Sequence, residues 1–398
     1  MVRIGDLSYS WYLWHWPVIV FTLVLFPGWW TLGVVAGVLS IVPAWLSFTY
    51  LEEPVRHSGV KGRQVVALAA VCMLLPIAAS VTLMRHADAA VASAQASIAD
   101  QKPRQVGVPD PNPPVTDLFT AALLAERGQW QVFGEPCLSG ASDVPPGKCV
   151  FFTGAGKPRA VLVGDSHAGS YSSGFLDATK QLGYQAEVIT TGGCPFTDVA
   201  IGRDAAVDRH CVQRNQQIAK YLEQNPPQVL AIANRSPRFV SPVDKMADEV
   251  GGNQPCIVDA ANGGCLGHAA AVKAWSDSLR RTADRLQPLG TKLLVLQTVP
   301  EQRNGLAECV VGTTVRLGCL QTPRSLSWDR RKDVIGAEAR DAQQLGFSVY
   351  DPFDFFCDQD TCRQFIGGRF LYRNDDHLNP WGSEALAGAI EQKLKAMG

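Results

Sequence analysis

Three stretches near the start of the chain carry no charged side chain: Leu7 to Phe26, Trp29 to Leu51 and Gln64 to Met84. Each is about 20 residues, the length an α-helix needs to cross roughly 30 Å of hydrocarbon. Trp29, Trp30 and Tyr50 lie at segment ends, where amphipathic rings prefer the membrane interface. The loop between the second and third stretches carries Arg56, Lys61 and Arg63, whereas the turn Pro27-Gly28 carries no charge. Positive charge stays inside, so the 52–63 loop is expected in the cytoplasm and everything after Met84 beyond it. A cleaved signal peptide fits poorly. Arg3 is the only basic residue before the first stretch, no small-residue cleavage site follows it, and a second apolar stretch comes at once. The bilayer is therefore the first expected partner, reached through three transmembrane helices.

The remainder of the 398 residues has ordinary soluble composition, and the net charge of −1 leaves no basic footprint for nucleic acid. Cysteine usage tests the topology independently. Of 11 cysteines, Cys72 falls within the third apolar stretch and reads as a small hydrophobe. The others follow as near neighbours: Cys137 and Cys149, Cys194 and Cys211, Cys256 and Cys265, Cys309 and Cys319, Cys357 and Cys362. An even number in an exported segment argues for disulfides, although spacing alone leaves the pairing open. Each would contribute roughly 2–4 kcal/mol if unstrained. No C-x-x-C pair and no finger-like Cys/His spacing occurs, so no metal site is expected.

Residues 85–134 read as a linker. Ala87 to Ala99 has the composition of a helical extension of the third stretch. Pro103 to Pro114 holds five prolines, which exclude regular helix and central strand and make a semi-rigid spacer. Asp117 to Gln129 reads as a short helix. From about Glu135 the pattern alternates. Apolar runs at Val161–Val163, Ala186–Thr191, Val229–Ala233, Lys292–Thr298 and Phe347–Tyr350 are predicted strands. Helical patterns fall near His268–Leu286, Asp329–Leu345 and Gly382–Lys395. Strands separated by helices imply right-handed crossovers and a mainly parallel sheet covered on both faces. The inserts 235–267 and 300–328, each with a cysteine pair, are expected as ordered surface loops.

Ligands in such folds bind beyond the carboxyl ends of the strands. Ala160-Val-Leu-Val-Gly-Asp-Ser-His167 puts a serine there. A serine hydroxyl becomes a nucleophile only with a base beside it and donors for the developing oxyanion. The octet alone reads equally well as Ser166 capping a helix. A second signal, Asn374-Asp375-Asp376-His377-Leu378-Asn379, supplies a base within reach of acids in its own loop and tips the reading towards chemistry.

Gly-Asp-Ser-His after one strand, Gly192-Gly193-Cys194-Pro195 after the next, Asn234 after the third and an acid-rich loop into His-Leu together resemble the SGNH or GDSL hydrolase superfamily. The resemblance implies an SGNH-hydrolase-like three-layer α/β sandwich with a mainly parallel five-stranded sheet. It assigns Ser166 as nucleophile, Gly193 (of the Gly192-Gly193 pair) and Asn234 as oxyanion donors, and His377 as base. The family places an acid three residues before the base, where this chain has Asn374. Asp375 or Asp376 could serve instead, Asn374 could orient the ring through its amide oxygen, or a Ser-His dyad could suffice. Asp375 is placed first. Asn234 also sits in Ala-Asn-Arg rather than the family's Gly-x-Asn-Asp.

The membrane part has its own resemblance. Ile4-Gly5-Asp6-Leu7-Ser8-Tyr9-Ser10 with Tyr12-Leu13-Trp14-His15-Trp16-Pro17, and Leu51-Glu52-Glu53-Pro54-Val55-Arg56, are similar to the last two core helices of the acyltransferase-3 family of membrane O-acyltransferases. Some of these continue through an extra helix into an SGNH domain. The expected partition is then 1–63 for the acyltransferase-like helices, 64–84 for the extra helix, 85–134 for the linker and 135–398 for the SGNH domain. The family's earlier helices are not in this sequence. The chain is a fragment, the product of a truncated gene, or an anchored enzyme working with a separate membrane acyltransferase subunit. His15 lies in an otherwise apolar stretch, either as a functional group or in a structural hydrogen bond to a neighbouring helix. The resemblance implies a bacterial inner (cytoplasmic) membrane protein whose residues after about 84 lie in the periplasm. It implies O-acyl transfer, most commonly acetyl, to a cell-envelope glycan such as lipopolysaccharide, peptidoglycan or exopolysaccharide. No cofactor is expected, and the acyl donor comes from a membrane acyltransferase domain or partner. A carbohydrate O-acetylesterase and an inactive glycan-binding module are the alternatives.

Overall fold

The computed structural model describes residues 2–25, 30–57, 62–100, 115, 117–127, 144–203, 206–240, 255–259, 263–311 and 313–397. They group into two compact units, Met1–Ser93 with Val311–Thr313, and Ala94–Val310 with Thr314–Gly398.

In the first unit, α1 (Val2–Leu25) packs on α2 (Trp30–Leu39) and α3 (Ile41–Ser47). Gly33 and Gly37, one turn apart, let the backbones approach. A Cβ at Gly33 would lie 2.9 Å from Leu23 Cδ2, and one at Gly37 would lie 3.0 Å from Ile19 Cδ1. Small residues at this spacing are how apolar helices gain close contact where lipid offers no hydrophobic drive. The polar groups inside the unit bond to one another. Ser10 Oγ donates to Glu52 Oε2 at 2.6 Å, and Trp11 Nε1 donates to Ser40 Oγ at 2.9 Å.

Two helical runs among the described residues are long and apolar enough to cross a membrane, Trp30–His57 and Gly62–Ser97. The expectation of three is corrected on this point. The stretch Ser8–His15 of α1 carries Ser8, Tyr9, Ser10, Tyr12 and His15, and lack of charge is a weaker condition than apolarity. His15 Nδ1 lies 2.8 Å from the carbonyl oxygen of Tyr12, so its hydrogen bond stays within its own helix. Helix α4 (Gly62–Ala99) runs unbroken past Met84, so Ala87–Ala99 continues it. The side chain of Cys72 and the segment Pro103–Pro114 lie outside the described residues. The short helix expected after Asp117 spans Leu118–Arg127.

The second unit is built on a sheet of six strands: β1 (Val150–Phe151), β2 (Arg159–Gly164), β3 (Gln185–Thr190), β4 (Val229–Ala233), β5 (Lys292–Leu296) and β6 (Ser348–Tyr350). The spatial order is β1-β3-β2-β4-β5-β6. Strands β2 to β6 pair in parallel, and β1 pairs antiparallel with β3. The sheet is therefore mixed and six-stranded rather than five-stranded. Strand β1 spans only 2 residues, too short for a periodic signal in sequence.

The period of two along each strand sorts the core into two layers. Leu162, Val188, Ala231 and Leu294 point to one face, against Tyr171, Phe175 and Leu176 of α5 (Ser166–Gln181) and Ile390 and Leu394 near the C-terminus. Val161, Val163, Ile189, Leu230, Ile232 and Leu293 point to the other. There they meet Ile218 and Leu222 of α6 (Arg209–Gln224), Leu279 and Ala283 of α7 (His268–Leu286) and Ala342 of α8 (Arg324–Leu345). The result is a three-layer α/β/α sandwich. Each fully buried aliphatic side chain contributes roughly 1.5–3 kcal/mol to it.

From β2 the chain first crosses to β3 on one side and later to β4 on the other. The carboxyl end of β2 is therefore a topological switch point, where such sheets open a crevice. At that end β2 and β4 approach very closely. Gly164 has φ +151°, and a Cβ there would stand 1.9 Å from the carbonyl oxygen of Ala233.

Among the described residues four disulfides have both cysteines placed, each pairing near neighbours: Cys194–Cys211, Cys256–Cys265, Cys309–Cys319 and Cys357–Cys362. Cys149 is also disulfide-bonded, and Cys137, its expected partner, lies outside the described residues.

Two outcomes are expected. Gly164→Ala should destabilise the second unit by about 3 kcal/mol or more, since neither backbone can retreat without breaking the β2–β4 ladder. Chemical denaturation of the full chain in detergent, followed by far-ultraviolet circular dichroism, checks this. Reductant should lower the melting temperature in a thermal scan followed by the same signal, and an unchanged value would show that the cross-links add no stability.

Candidate active site

The turn after β2 divides two duties between adjacent residues. Asp165 is the N-cap of α5, and its Oδ1 accepts the backbone N–H of His167 at 2.8 Å. Its Oδ2 accepts the backbone N–H of Arg235 at 2.9 Å, tying the end of β4 to the same turn. Ser166 is thus the first helical residue, not the cap, and its hydroxyl is not used to satisfy the helix end. Instead Ser166 Oγ lies 2.7 Å from His377 Nε2.

His377 reaches this position through packing elsewhere. Asn379 caps the helix Pro380–Ala385 by accepting the N–H of Gly382 at 3.0 Å. That helix lies directly on α5. Ser383 Oγ accepts the backbone N–H of Gly174 at 2.9 Å, and a Cβ on Gly174 would stand 2.1 Å from the carbonyl oxygen of Ser383. The base-bearing loop is also fixed from outside. Gln302 N–H donates to the carbonyl of Asp375 at 2.7 Å, and Tyr372 Oη donates to the carbonyl of Pro300 at 2.9 Å.

The acid beside His377 is Asp376, not Asp375. Asp376 Oδ1 lies 2.6 Å from His377 Nδ1. With Nδ1–H donating there, Nε2 is left to accept from the Ser166 hydroxyl. Asn374 occupies the position three before the base and folds the loop. Its Oδ1 accepts the backbone N–H of His377 at 2.8 Å and lies 3.2 Å from His377 Nδ1. This turn sends the Asp376 side chain inward, and Asp375 remains half-buried with no bond to the ring among the described contacts.

The electrostatics of the two aspartates diverge. Burial acts to raise the Asp376 pKa, but the nearby His167 imidazole, the close contact with His377 and the Arg235 charge hold it well below the usual carboxylate range. Asp375 is pushed up to about 6 by burial, with the Asp376 charge adding to the effect. His167 is fully buried, with its ring centroid 4.7 Å from that of His377. Its Nε2 lies 3.7 Å from Asp376 Oδ2, beyond hydrogen-bonding distance, and burial pushes its pKa down. His167, Asp376 and His377 place one ligand atom each within 4.8 Å of one another, the spacing a transition metal could use. The same carboxylate already holds the Arg235 guanidinium at 2.8 Å, which opposes a second cation.

Of the two expected oxyanion donors, Gly193 lies in the exposed part of the loop after β3, with φ +69°. The next three residues are each held. Cys194 is bonded to Cys211, the carbonyl of Pro195 accepts from Asn215 Nδ2 at 2.8 Å, and Phe196 is gripped by Asn234. Asn234 Oδ1 accepts the N–H of Phe196 at 2.9 Å, while its Nδ2 donates to the Phe196 carbonyl at 3.2 Å. Asn234 therefore clamps this loop, and the pairing with both backbone groups fixes its amide orientation. Its Nδ2 carries one further hydrogen.

Sequence reasoning gave no role to Arg235, Glu301, Asp165 or His167. Arg235 adjoins Asn234 in the Ala-Asn-Arg block, and Asp165 and His167 flank the serine. Glu301 lies in the insert after β5 and carries no local signal.

With this geometry the second unit is an α/β sandwich bearing a Ser–His–Asp arrangement at the sheet's switch point. Residues 136–392 match the family described as the SGNH domain (fused to AT3 domains), and the chain belongs to that family. Among solved structures, the periplasmic domain of a lipopolysaccharide acetyltransferase from Salmonella ser. Paratyphi A is 16% identical, with a TM-score of 0.44 over 61% of this chain and 85% of that one. An extracellular lipase from Streptomyces rimosus is 14% identical, with a TM-score of 0.35 over 59% of this chain and 99% of that one. No curated protein matches in sequence.

The two aspartates should respond oppositely to amidation. A carboxyl whose pKa is raised on folding contributes most at low pH, and its contribution is lost as pH rises through about 6. Asp375→Asn should therefore be neutral below pH 4 and stabilising by about 1–2 kcal/mol at pH 8, after discounting for solvent screening. A depressed carboxyl contributes above its unfolded pKa and loses that contribution as pH falls. Asp376→Asn should accordingly destabilise by about 3–5 kcal/mol at pH 8, because it breaks the buried ion pair with Arg235. Urea unfolding of both variants at pH 4 and pH 8 checks the contrast.

Proposed function

We propose that the chain is a membrane-anchored O-acyltransferase that modifies a cell-envelope glycan through an acyl-serine intermediate at Ser166. The observation that carries the reading is the 2.7 Å contact between Ser166 Oγ and His377 Nε2, within a segment belonging to the SGNH family. His377 Nε2 removes the Ser166 proton as Oγ attacks the acyl carbonyl. Asp376 holds the imidazole by Nδ1 and stabilises the imidazolium that forms. The oxyanion draws on the N-terminal end of α5, on the Gly193 backbone and on the spare Nδ2 hydrogen of Asn234. Collapse of this intermediate expels the donor's leaving group, which takes the proton from His377. In the second half, His377 deprotonates a sugar hydroxyl that attacks the acyl-serine. The glycan ester leaves, and the proton returns to Ser166.

Acetyl is the acyl group we favour. The acceptor class is a lipopolysaccharide-type or other envelope glycan, by analogy with what the Salmonella domain's parent protein is named for. The acyl group reaches Ser166 from a membrane acyltransferase domain or partner, and no cofactor takes part. The second unit lies on the periplasmic side of the inner membrane. Attack by water in place of the sugar would make the same site a carbohydrate O-acetylesterase, since the first half-reaction is shared.

Full-length chain in detergent should be labelled by a fluorophosphonate on Ser166, and Ser166→Ala should abolish the adduct. His377→Ala should slow turnover of a chromogenic acetyl ester by about a thousandfold or more. Folded protein that never forms an adduct would favour the inactive glycan-binding alternative. Mass spectrometry of an oligosaccharide supplied with the acetyl ester separates transfer from hydrolysis.

A further inference from the structure

Arg235 is buried at 4% exposure directly beyond the end of β4, although an arginine is rarely found so deep without an ionic partner. It has two. Its Nη1 lies 2.8 Å from Asp376 Oδ2, and its Nε lies 2.7 Å from Glu301 Oε1. Its own backbone N–H is held by Asp165, the residue before Ser166. One guanidinium therefore joins the turn that presents the serine to the loop that presents the base. Asp376 divides its two oxygens between His377 and Arg235, so the carboxylate that orients the imidazole is itself oriented by the arginine.

We infer that Arg235 is a positioning residue for the proton transfer at Ser166, acting on His377 through the Asp376 carboxylate. The inference rests on the Ser166–His377 reading above and adds a member to it. In this chain the acid is the immediate neighbour of the base. A side chain so close along the backbone has little intrinsic reason to meet its neighbour's ring edge-on. The turn at Asn374 brings Asp376 inward, and Arg235 provides the second anchor that keeps one oxygen on Nδ1. Glu301 fixes the arginine in turn, and Arg330 Nη1, 4.0 Å from Glu301 Oε2, balances that second carboxylate. The groups facing Asp376 are Arg235 from the end of β4, His167 from α5, and His377 and Asp375 from its own loop, with Glu301 close beyond the arginine.

The sign of the effect follows from charge. His377 must be neutral to accept the serine proton. Removing the Arg235 cation takes a positive charge away from the Asp376–His377 pair and makes adding a proton to that pair easier, so the acid limb of the pH–rate profile moves to higher pH.

The test uses the full-length chain in detergent, with kcat/KM for a chromogenic acetyl ester and the rate of fluorophosphonate labelling measured from pH 5 to pH 9. Arg235→Gln should move the acid limb up by about one pH unit and slow both reactions about a hundredfold at neutral pH. Arg235→Lys should recover part of the rate and restore the limb, because it keeps the charge. If Arg235→Gln does not fold, the double variant Arg235→Gln/Glu301→Gln removes the stranded Glu301 charge, and the limb should move in the same direction by less, because losing that anion partly offsets losing the cation. A folded variant with the wild-type limb overturns the proposal, whether its rate is unchanged or falls only with its melting temperature. Ser166→Ala separates the two levels. If it retains turnover, the reading of the site itself fails. If it is inactive while the Arg235 variants keep the wild-type limb, only the role of Arg235 is lost.

Discussion

The contact between Gly174 and Ser383 decides where the rest of the site falls. A backbone N–H in the middle of α5 donates to a side chain on the Pro380–Ala385 helix, and the carbonyl of Ser383 lies where any Cβ on Gly174 would need to be. Helix α5 begins at Ser166, and the Pro380–Ala385 helix begins three residues beyond His377. Once these two short elements interlock, the hydroxyl and the imidazole have little freedom left to miss each other. The closeness at Gly164 and Ala233 does the same for the third side, bringing Asn234 and Arg235 to the foot of the turn. Glycine serves at both positions because space is absent, more than because a turn requires it.

This geometry also explains why three polar side chains at the site are buried without conflict. Asp165, Arg235 and Asp376 are almost fully covered, yet each has ionic or backbone partners at hydrogen-bonding distance. Buried charges persist when the geometry satisfies them mutually, and leaving one alone costs several kcal/mol. The network therefore resists piecemeal change. His167 is the member with least support, its Nε2 finding no hydrogen-bond partner among the described residues.

Much of the sheet was legible because buried parallel strands read as short uninterrupted apolar runs, as Val161–Val163 and Val229–Ala233 do. The edge strand Val150–Phe151 was not, since two residues carry no period. Ser166 stood out as a serine directly beyond a strand end, and His377 as a histidine following two aspartates in one loop. The choice between Asp375 and Asp376 was beyond sequence, because it depends on how the Asn374 side chain turns the backbone by hydrogen bonding to His377 N–H. Arg235 and Glu301 are 66 residues apart, and nothing local to either announces the pair. In the N-terminal unit, the serine- and tyrosine-rich start of α1 showed that an uncharged stretch and an apolar one are different things.

The division of labour at the turn after β2 has a practical side. Because Asp165 completes the helix end, the neighbouring hydroxyl can be deleted without asking the scaffold to find a substitute. A chemically silenced copy of the protein should thus keep its native crevice. It would serve as a decoy for capturing whatever ligand the crevice takes, held long enough to be identified.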